Sequence, residues 1–483
     1  MSVAKNQIPK LLALLLLFCL KPLAGQQYEK GAIFDPVRYE QTNAKPTLHS
    51  RSYRNIARSV SLKRYGPVPG SQIGESCGGW AIAYAARTIS ESVALNRINR
   101  EQILSNVFSP MYLYVNVTKE PIGKNGVILD DALSFMKKPE RGDPPAFKGK
   151  YRGIVKRLPS EEKMEIKDFN PSIYRNAKRF YISSYTRLFQ HSNGPGAISE
   201  MIPPIKMSLA NSKPVIICMN TPESFGKTKG DIWQPKESPN KDHGYHALCV
   251  VSYDDDKYGG AFEVQNSWGT EWGNGGYIWI SYRDFAAYVR GAWAYDIDDP
   301  GGREGAAEYS ASIQIEVDRD KRGMPVVFDR QGYYKTIESY SSGAEFRFLM
   351  TNRHPAYVYA FSADSNTPGT ERIFPLRGVS AALDYPDSTI AWPGEHDWIR
   401  LDSVKGTDYL IVLFSREPLD DISAIERRFA IERGGFPERV ARAVGANFIP
   451  YNQVEYDANG MKFSVASTNP RAVFGLLLAI DHR

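Results

Sequence analysis

Cysteine is scarce in this sequence: four occur in 483 residues, beside only 7 histidines. Cys19 lies in an N-terminal leader, which leaves Cys77, Cys218 and Cys249. Three is an odd number, so at least one thiol stays unpaired within the chain, and an unpaired thiol in an exported chain is a candidate for chemistry. No His/Cys cluster has the spacing of zinc ligands, so no metal is expected, and no cofactor either. Long basic runs are missing and the net charge is only +6, which argues against nucleic acid as a partner. No internal repeat and no low-complexity tract interrupt an ordinary globular composition, 42% hydrophobic and 24% charged.

Long apolar runs are also missing. The most apolar stretch, Leu11 to Leu20, is far short of the roughly 20 residues that cross a bilayer. Preceded by Lys5 and Lys10 and followed by Lys21 to Gly25, it reads as the hydrophobic region of a secretory signal peptide over 1–25. The alternative is an uncleaved anchor, because Lys21 is an unusual flank for a cleavage site. Cleavage removes three lysines and leaves a nearly balanced mature charge of +3. The expected destination is periplasmic or extracellular, with no stable membrane span after signal cleavage.

What is present divides the chain. Residues 26–59 are polar and read as an extended arm. Ile82, Ala86, Ile89 and Val93 recur at helical spacing, with Cys77 at the N-terminal end of that helix. Residues 130–136 and 205–209 read as short helices. Strand patterns follow at 214–219, 246–253, 261–265 and 277–281, so 60–297 is an α+β domain. Residues 298–307, rich in Asp and Gly, read as a linker. Beyond it, 308–483 has strand patterns at 345–351, 356–363, 408–415, 461–467 and 473–480. Helical stretches near 424–431 and 439–444 interrupt them, giving a β-rich, sandwich-like module.

Two segments carry chemistry. In Gln72-Ile73-Gly74-Glu75-Ser76-Cys77-Gly78-Gly79-Trp80-Ala81, a cysteine at a helix N-terminus feels the positive end of the dipole, which favours the thiolate. Gln72 can offer its amide N–H to a developing oxyanion. The second segment pairs His246 with Asn266 across two strands and a turn at 254–260. An asparagine oxygen can hold one ring nitrogen while the other faces a thiol, the nucleophile–base–orienter arrangement of covalent catalysis. His243, three residues earlier between Asp242 and Gly244, is the rival base. Asp254 to Asp256 reads as a solvated turn rather than a calcium loop, and the Asn116-Val117-Thr118 sequon as chance. Cys218 and Cys249 read as core thiols, with a disulfide between them open if their strands are neighbours.

Asn266-Ser267-Trp268-Gly269, followed by Trp272-Gly273 and Gly276-Tyr277, closely resembles the asparagine motif of the papain family of cysteine peptidases. His246-Ala247 resembles its histidine motif, and Gln72 to Ala81 its glutamine–cysteine segment, in the family's order. The resemblance covers 60–297. It implies a two-lobed papain-like fold and a peptide or protein substrate. It carries over Cys77 as an acidified nucleophile, His246 as base, Asn266 as orienter, Gln72 as oxyanion donor and Trp268 as the indole shielding the His–Asn bond. Three departures stand out. Gly78 and Gly79 separate Cys77 from Trp80, and a register aligning Trp80 with the family's tryptophan would put Gly79 at the nucleophile position and make the protein inactive. Exported bacterial relatives, which resemble Glu75 to Ala81, favour Cys77. Gln72 is five residues from Cys77, one fewer than usual. The long helical inhibitory propeptide is also missing. Inactive binding or scaffold proteins and cysteine acyltransferases or amidases are the alternative functions. In the C-terminal module, 357–364, 372–375, 392–394 and 413–415 resemble an uncharacterised accessory domain found beside bacterial peptidases, which implies an unknown binding partner.

Overall fold

The computed structural model describes residues 28–119, 125–137, 152–156, 169–191, 194–297, 307–318, 320–419 and 421–483. The leader and most of the linker read from the sequence lie outside the described residues.

The first unit joins a helical half to a twisted sheet. Residues Cys77–Gly79, Trp80–Arg87 and Thr88–Ala94 run on as one helix, widened to i→i+5 bonding over its middle segment. Its apolar stripe is real: Ile82, Ala86 and Ile89 have no exposed surface. Helices Pro110–Thr118 and Leu129–Met136 pack beside it. The sheet holds β1 (Ala32–Ile33), β2 (Ser59–Ser61), β3 (Val127–Ile128), β4 (Ile182–Arg187), β5 (Val215–Asn220), β6 (Tyr245–Asp254), β7 (Ala261–Gln265), β8 (Tyr277–Ser281) and β9 (Val289–Ile297). Its main path runs β3-β1-β6-β5-β9-β4, with β7 joining β6 to β8. Strands β5 and β6 are buried almost throughout, which is why they read as unbroken apolar runs.

The second unit is a sandwich of two seven-stranded sheets. Along Tyr409 to Phe414 and Val473 to Leu478, alternate residues face different cores. Val412, Phe414, Phe474, Leu476 and Leu478 fill the space between the sheets. Ile411, Leu413, Val473 and Leu477 pack outward against helices Ile422–Ile431 and Phe436–Val444. The α+β class with a β-rich, sandwich-like C-terminal part is therefore what the chain forms.

Three local expectations change. The arm is not simply extended: Pro36–Gln41 and Ser50–Tyr53 are helical, the first capped by Asp35, whose carboxylate accepts from Val37 N and Arg38 N. The helix expected at 205–209 begins at Ile198 and carries Pro203 and Pro204 inside it, residues that normally signal a break. Cys218 and Cys249 do lie on neighbouring strands but stay free. Cys218 faces Ala247 and Cys249 faces Ile216, so the two thiols are diagonal neighbours and too far apart for a disulfide.

Candidate active site

The helical half presents Cys77 and the sheet presents His246 and Asn266. Cys77 is the first residue of its helix and is wholly buried. Its Sγ accepts a hydrogen bond from Ala247 N–H at 3.5 Å, next to His246 on β6. The β6–β7 hairpin brings Asn266 alongside, and His246 Nε2 lies 2.7 Å from Asn266 Oδ1. Asn266 Oδ1 can only accept, so Nε2 carries the hydrogen and Nδ1 is the basic nitrogen. That Nδ1 is buried without a hydrogen-bond partner. Asn266 Oδ1 also accepts from Ser267 N–H at 2.7 Å, and Asn266 N–H donates to Gly276 O, so the amide is fixed in place. The Trp268 indole stacks on the imidazole, centroids 4.4 Å apart and planes 22° apart.

Gln72 reaches the same seam despite its shortened spacing. Its backbone N–H donates to Ser267 O, and its Oε1 accepts from Ser267 Oγ at 2.7 Å. These bonds turn Nε2 away from Ser267, toward Gly74 O and Glu29 O. The rival positions fall elsewhere. A Cβ on Gly79 would sit 2.3 Å from Pro110 O, so that residue packs into the neighbouring helix. His243 bonds through Nε2 to Ser238 O in the preceding loop. Asn116 of the sequon is buried and donates to Tyr112 O. Asp255 and Asp256 pair with Lys206 and Arg58, and among the described residues no three His, Cys, Asp or Glu side chains could hold a metal.

The sequence reading did not anticipate the segment lying across these residues. β1 fills the seam between the halves: Ala32 pairs with Val127 on one side and with Tyr245 on the other. Gly31 O accepts from Val127 N–H at 2.7 Å. Glu29 O accepts from both Gln72 Nε2 and Trp268 Nε1–H, at 3.1 and 3.0 Å. Lys30 Nζ donates to Thr221 O and His243 O, and Tyr28 stacks on Trp268 at 4.7 Å and 14°. No repeat or motif in 28–32 announces this role. Ser267 was missed as well, although it stands inside the asparagine motif.

Burial under this cover sets the electrostatics. Loss of solvent pushes the Cys77 thiol up to about 12, against the pull of backbone groups at Ala247, Gly31 and Gly78. The same desolvation pushes His246 down to about 4, partly offset by Asn266 and reinforced by the charge of Lys30. In the covered form the pair is thiol and neutral imidazole. Burial thus opposes, in this covered arrangement, the acidification that the resemblance implies for Cys77.

The chain resembles known proteins in this region. It is 33% identical over 89 residues to an uncharacterised peptidase C1-like protein of Acanthamoeba polyphaga mimivirus, matching 18% of this chain and 28% of that one. Among solved structures, xylellain, a cysteine protease from Xylella fastidiosa, is 19% identical with a TM-score of 0.40, covering 56% of this chain and 98% of its own. Bromelain from Ananas comosus is 18% identical with a TM-score of 0.36, covering 50% and 100%. Residues 75–290 match the family described as Papain family cysteine protease, a span that includes Cys77, His246 and Asn266. With the seam between a helix-borne cysteine and a sheet-borne His–Asn pair, this span is a papain-family cysteine protease domain.

Proposed function

We propose that the chain is an exported cysteine peptidase that hydrolyses peptide bonds through Cys77, His246 and Asn266, and that residues 28–32 keep it latent. The observation that carries the reading is the 2.7 Å bond from His246 Nε2 to Asn266 Oδ1, which leaves Nδ1 as the basic nitrogen, while the N–H of the adjacent Ala247 holds Cys77 Sγ.

In the uncovered enzyme, Nδ1 takes the thiol proton and the thiolate attacks the peptide carbonyl carbon. The Cys77 backbone N–H and Gln72 Nε2 bind the resulting oxyanion. Collapse breaks the C–N bond, and the imidazolium gives its proton to the leaving amine, forming a thioester. Water, deprotonated by the same nitrogen, then attacks the thioester and releases the acid and the thiol. Trp268 shields the His–Asn bond from water throughout. The secretory reading of 1–25 places this chemistry outside the cytoplasm, and sequencing the N-terminus of the mature protein tests it.

The test of the triad is intact mass after treatment with an epoxide selective for papain-like thiols. It uses the full chain carrying Tyr28→Ala and Lys30→Ala, which remove the stack on Trp268 and the two lysine bonds. One adduct on Cys77, absent in Cys77→Ala, together with hydrolysis of a peptide library, is expected. A folded, uncovered protein that takes no adduct would make the domain an inactive scaffold. An adduct with no peptide hydrolysis would point to a different amide or acyl substrate.

A further inference from the structure

The segment that covers Cys77 continues into a strand shared by both units. Ala44 forms parallel bridges to Arg187 of β4 and to Val379 of the C-terminal module. Its N–H donates to Gly378 O and its carbonyl accepts from Ser380 N–H, at 2.7 and 2.9 Å. Arg187 holds the other side: its N–H donates to Asn43 O, its carbonyl accepts from Lys45 N–H, and its Nε donates to Thr42 O. Farther on, Leu48 bridges to Ile390 and is buried in the module's core. His49 N–H donates to Thr389 O. Ser50 donates to Glu395 through both its N–H and its Oγ.

Charge reinforces the three-way junction. Lys45 of the arm pairs with Asp384 of the module. Asp384 also pairs with Lys213 of the peptidase domain, which pairs in turn with Asp296. The four side chains are between 7% and 25% exposed, and their two positive and two negative charges balance. Undocking the module would part Asp384 from both lysines, leaving Lys213 with Asp296 alone.

We propose that the C-terminal module is a latch: by clamping residues 43–50 it holds residues 28–32 across Cys77, and undocking the module uncovers the site. The short connection matters. Only ten residues separate Ile33 from Ala44, so a clamped arm keeps the covering segment at high effective concentration over the seam. Freed from the module, residues 28–50 keep only their peptidase-domain contacts: the β1 pairings, the bonds of Glu29 and Lys30, the helix at Pro36–Gln41 with its buried Tyr39, and the Arg187 bonds at 42–45. The inference rests on the peptidase reading only for its effect on activity. The uncovering itself is a matter of geometry.

The test uses the full chain. Two quantities are measured: hydrogen–deuterium exchange of a peptide spanning 28–33, and the rate at which iodoacetamide modifies Cys77, read by peptide mass. Glu395→Gln and Asp384→Asn are compared with the natural protein. Both quantities should rise by about tenfold or more in each variant, as expected for loss of a charged contact. Faster exchange at 43–53, with 28–33 and Cys77 unchanged, would overturn the latch, because the peptidase domain would then hold the cover alone. Should Asp384→Asn fail to fold, Glu395→Gln decides, since it keeps the buried cluster intact. An uncovered Cys77 that is modified quickly yet hydrolyses no peptide would sink the peptidase reading and leave the latch standing.

Discussion

His246 and Trp268 lie nearly parallel, ring centroids 4.4 Å apart, and the same indole also carries the Tyr28 ring and donates to Glu29 O. One side chain thus covers the His246 imidazole and receives the segment that lies across it. Replacing it should have two opposite effects. Trp268→Ala is expected to speed modification of Cys77 while lowering kcat for peptide hydrolysis, because the His–Asn bond becomes exposed to water. Measuring both rates on one preparation separates the effects, and a parallel fall in both would show that the indole does not retain the cover.

Asn266→Ala removes the acceptor of His246 Nε2–H. The imidazole is then free to rotate and to change tautomer. General acid–base assistance contributes about 10²–10⁴ in rate, and a loss on the order of 10² in kcat with little change in KM is expected. Steady-state kinetics checks it; a rise in KM alone would place Asn266 in substrate binding instead.

Gln72→Ala removes the amide that now meets Glu29 O. If that amide serves the oxyanion in the open enzyme, kcat should fall by about 10²–10³. Gln72→Glu should be no better, because it keeps the shape and loses the donor. Turnover left untouched by Gln72→Ala would remove Gln72 from the mechanism.

Gly31 has no room for a side chain: a Cβ there would fall 2.0 Å from Glu75 O and 2.3 Å from Glu75 C. Gly31→Ala should therefore unseat the cover without touching the catalytic residues. The expected result is faster iodoacetamide modification of Cys77 and faster exchange at 28–33, with the sandwich module melting as before.

Acid should loosen the cover. His246 has its proton affinity depressed to about 4 in the covered form, against an ordinary value near 6.5. Any state that readmits water to the imidazole binds a proton that the covered form refuses. The covered form is thus fully favoured above about 6.5 and loses stability as the pH falls toward 4, by on the order of 3 kcal/mol at most. Exchange at 28–33 should accelerate across that window in the natural protein and stay flat in His246→Gln. An acceleration that persists in the variant would assign the pH dependence to another group.

The segments that carry Cys77, His246 and Asn266 were legible because their signals are local. Cys77 begins a helix whose apolar spacing shows in eighteen residues, and His246 and Asn266 close a hairpin whose strands alternate or run apolar over short stretches. The ends of five of the module's strands were legible within a residue or two, two of them as unbroken apolar runs buried on both faces, whereas Ala307–Val317 and Tyr333–Tyr340, with mixed polar residues, were not read. The helix at Ile198–Ala210 was cut short because Pro203 and Pro204 weigh against a helix in any local reading, and only packing against the sheet overrides them.

By itself the sequence determined the chemistry available: one thiol at a helix start, one histidine matched to one asparagine, and two kinds of domain. Side-chain chemistry and short periodicities are written in neighbouring residues. Only the tertiary structure decided which state that chemistry occupies. Glu29 meets Trp268 across 239 positions, Lys30 meets His243 across 213, and Lys213 meets Asp384 across 171. Those contacts are backbone carbonyls and single side chains brought together by the fold, with no pattern along the chain. They bury Cys77, and burial turns a nucleophile in waiting into a neutral thiol.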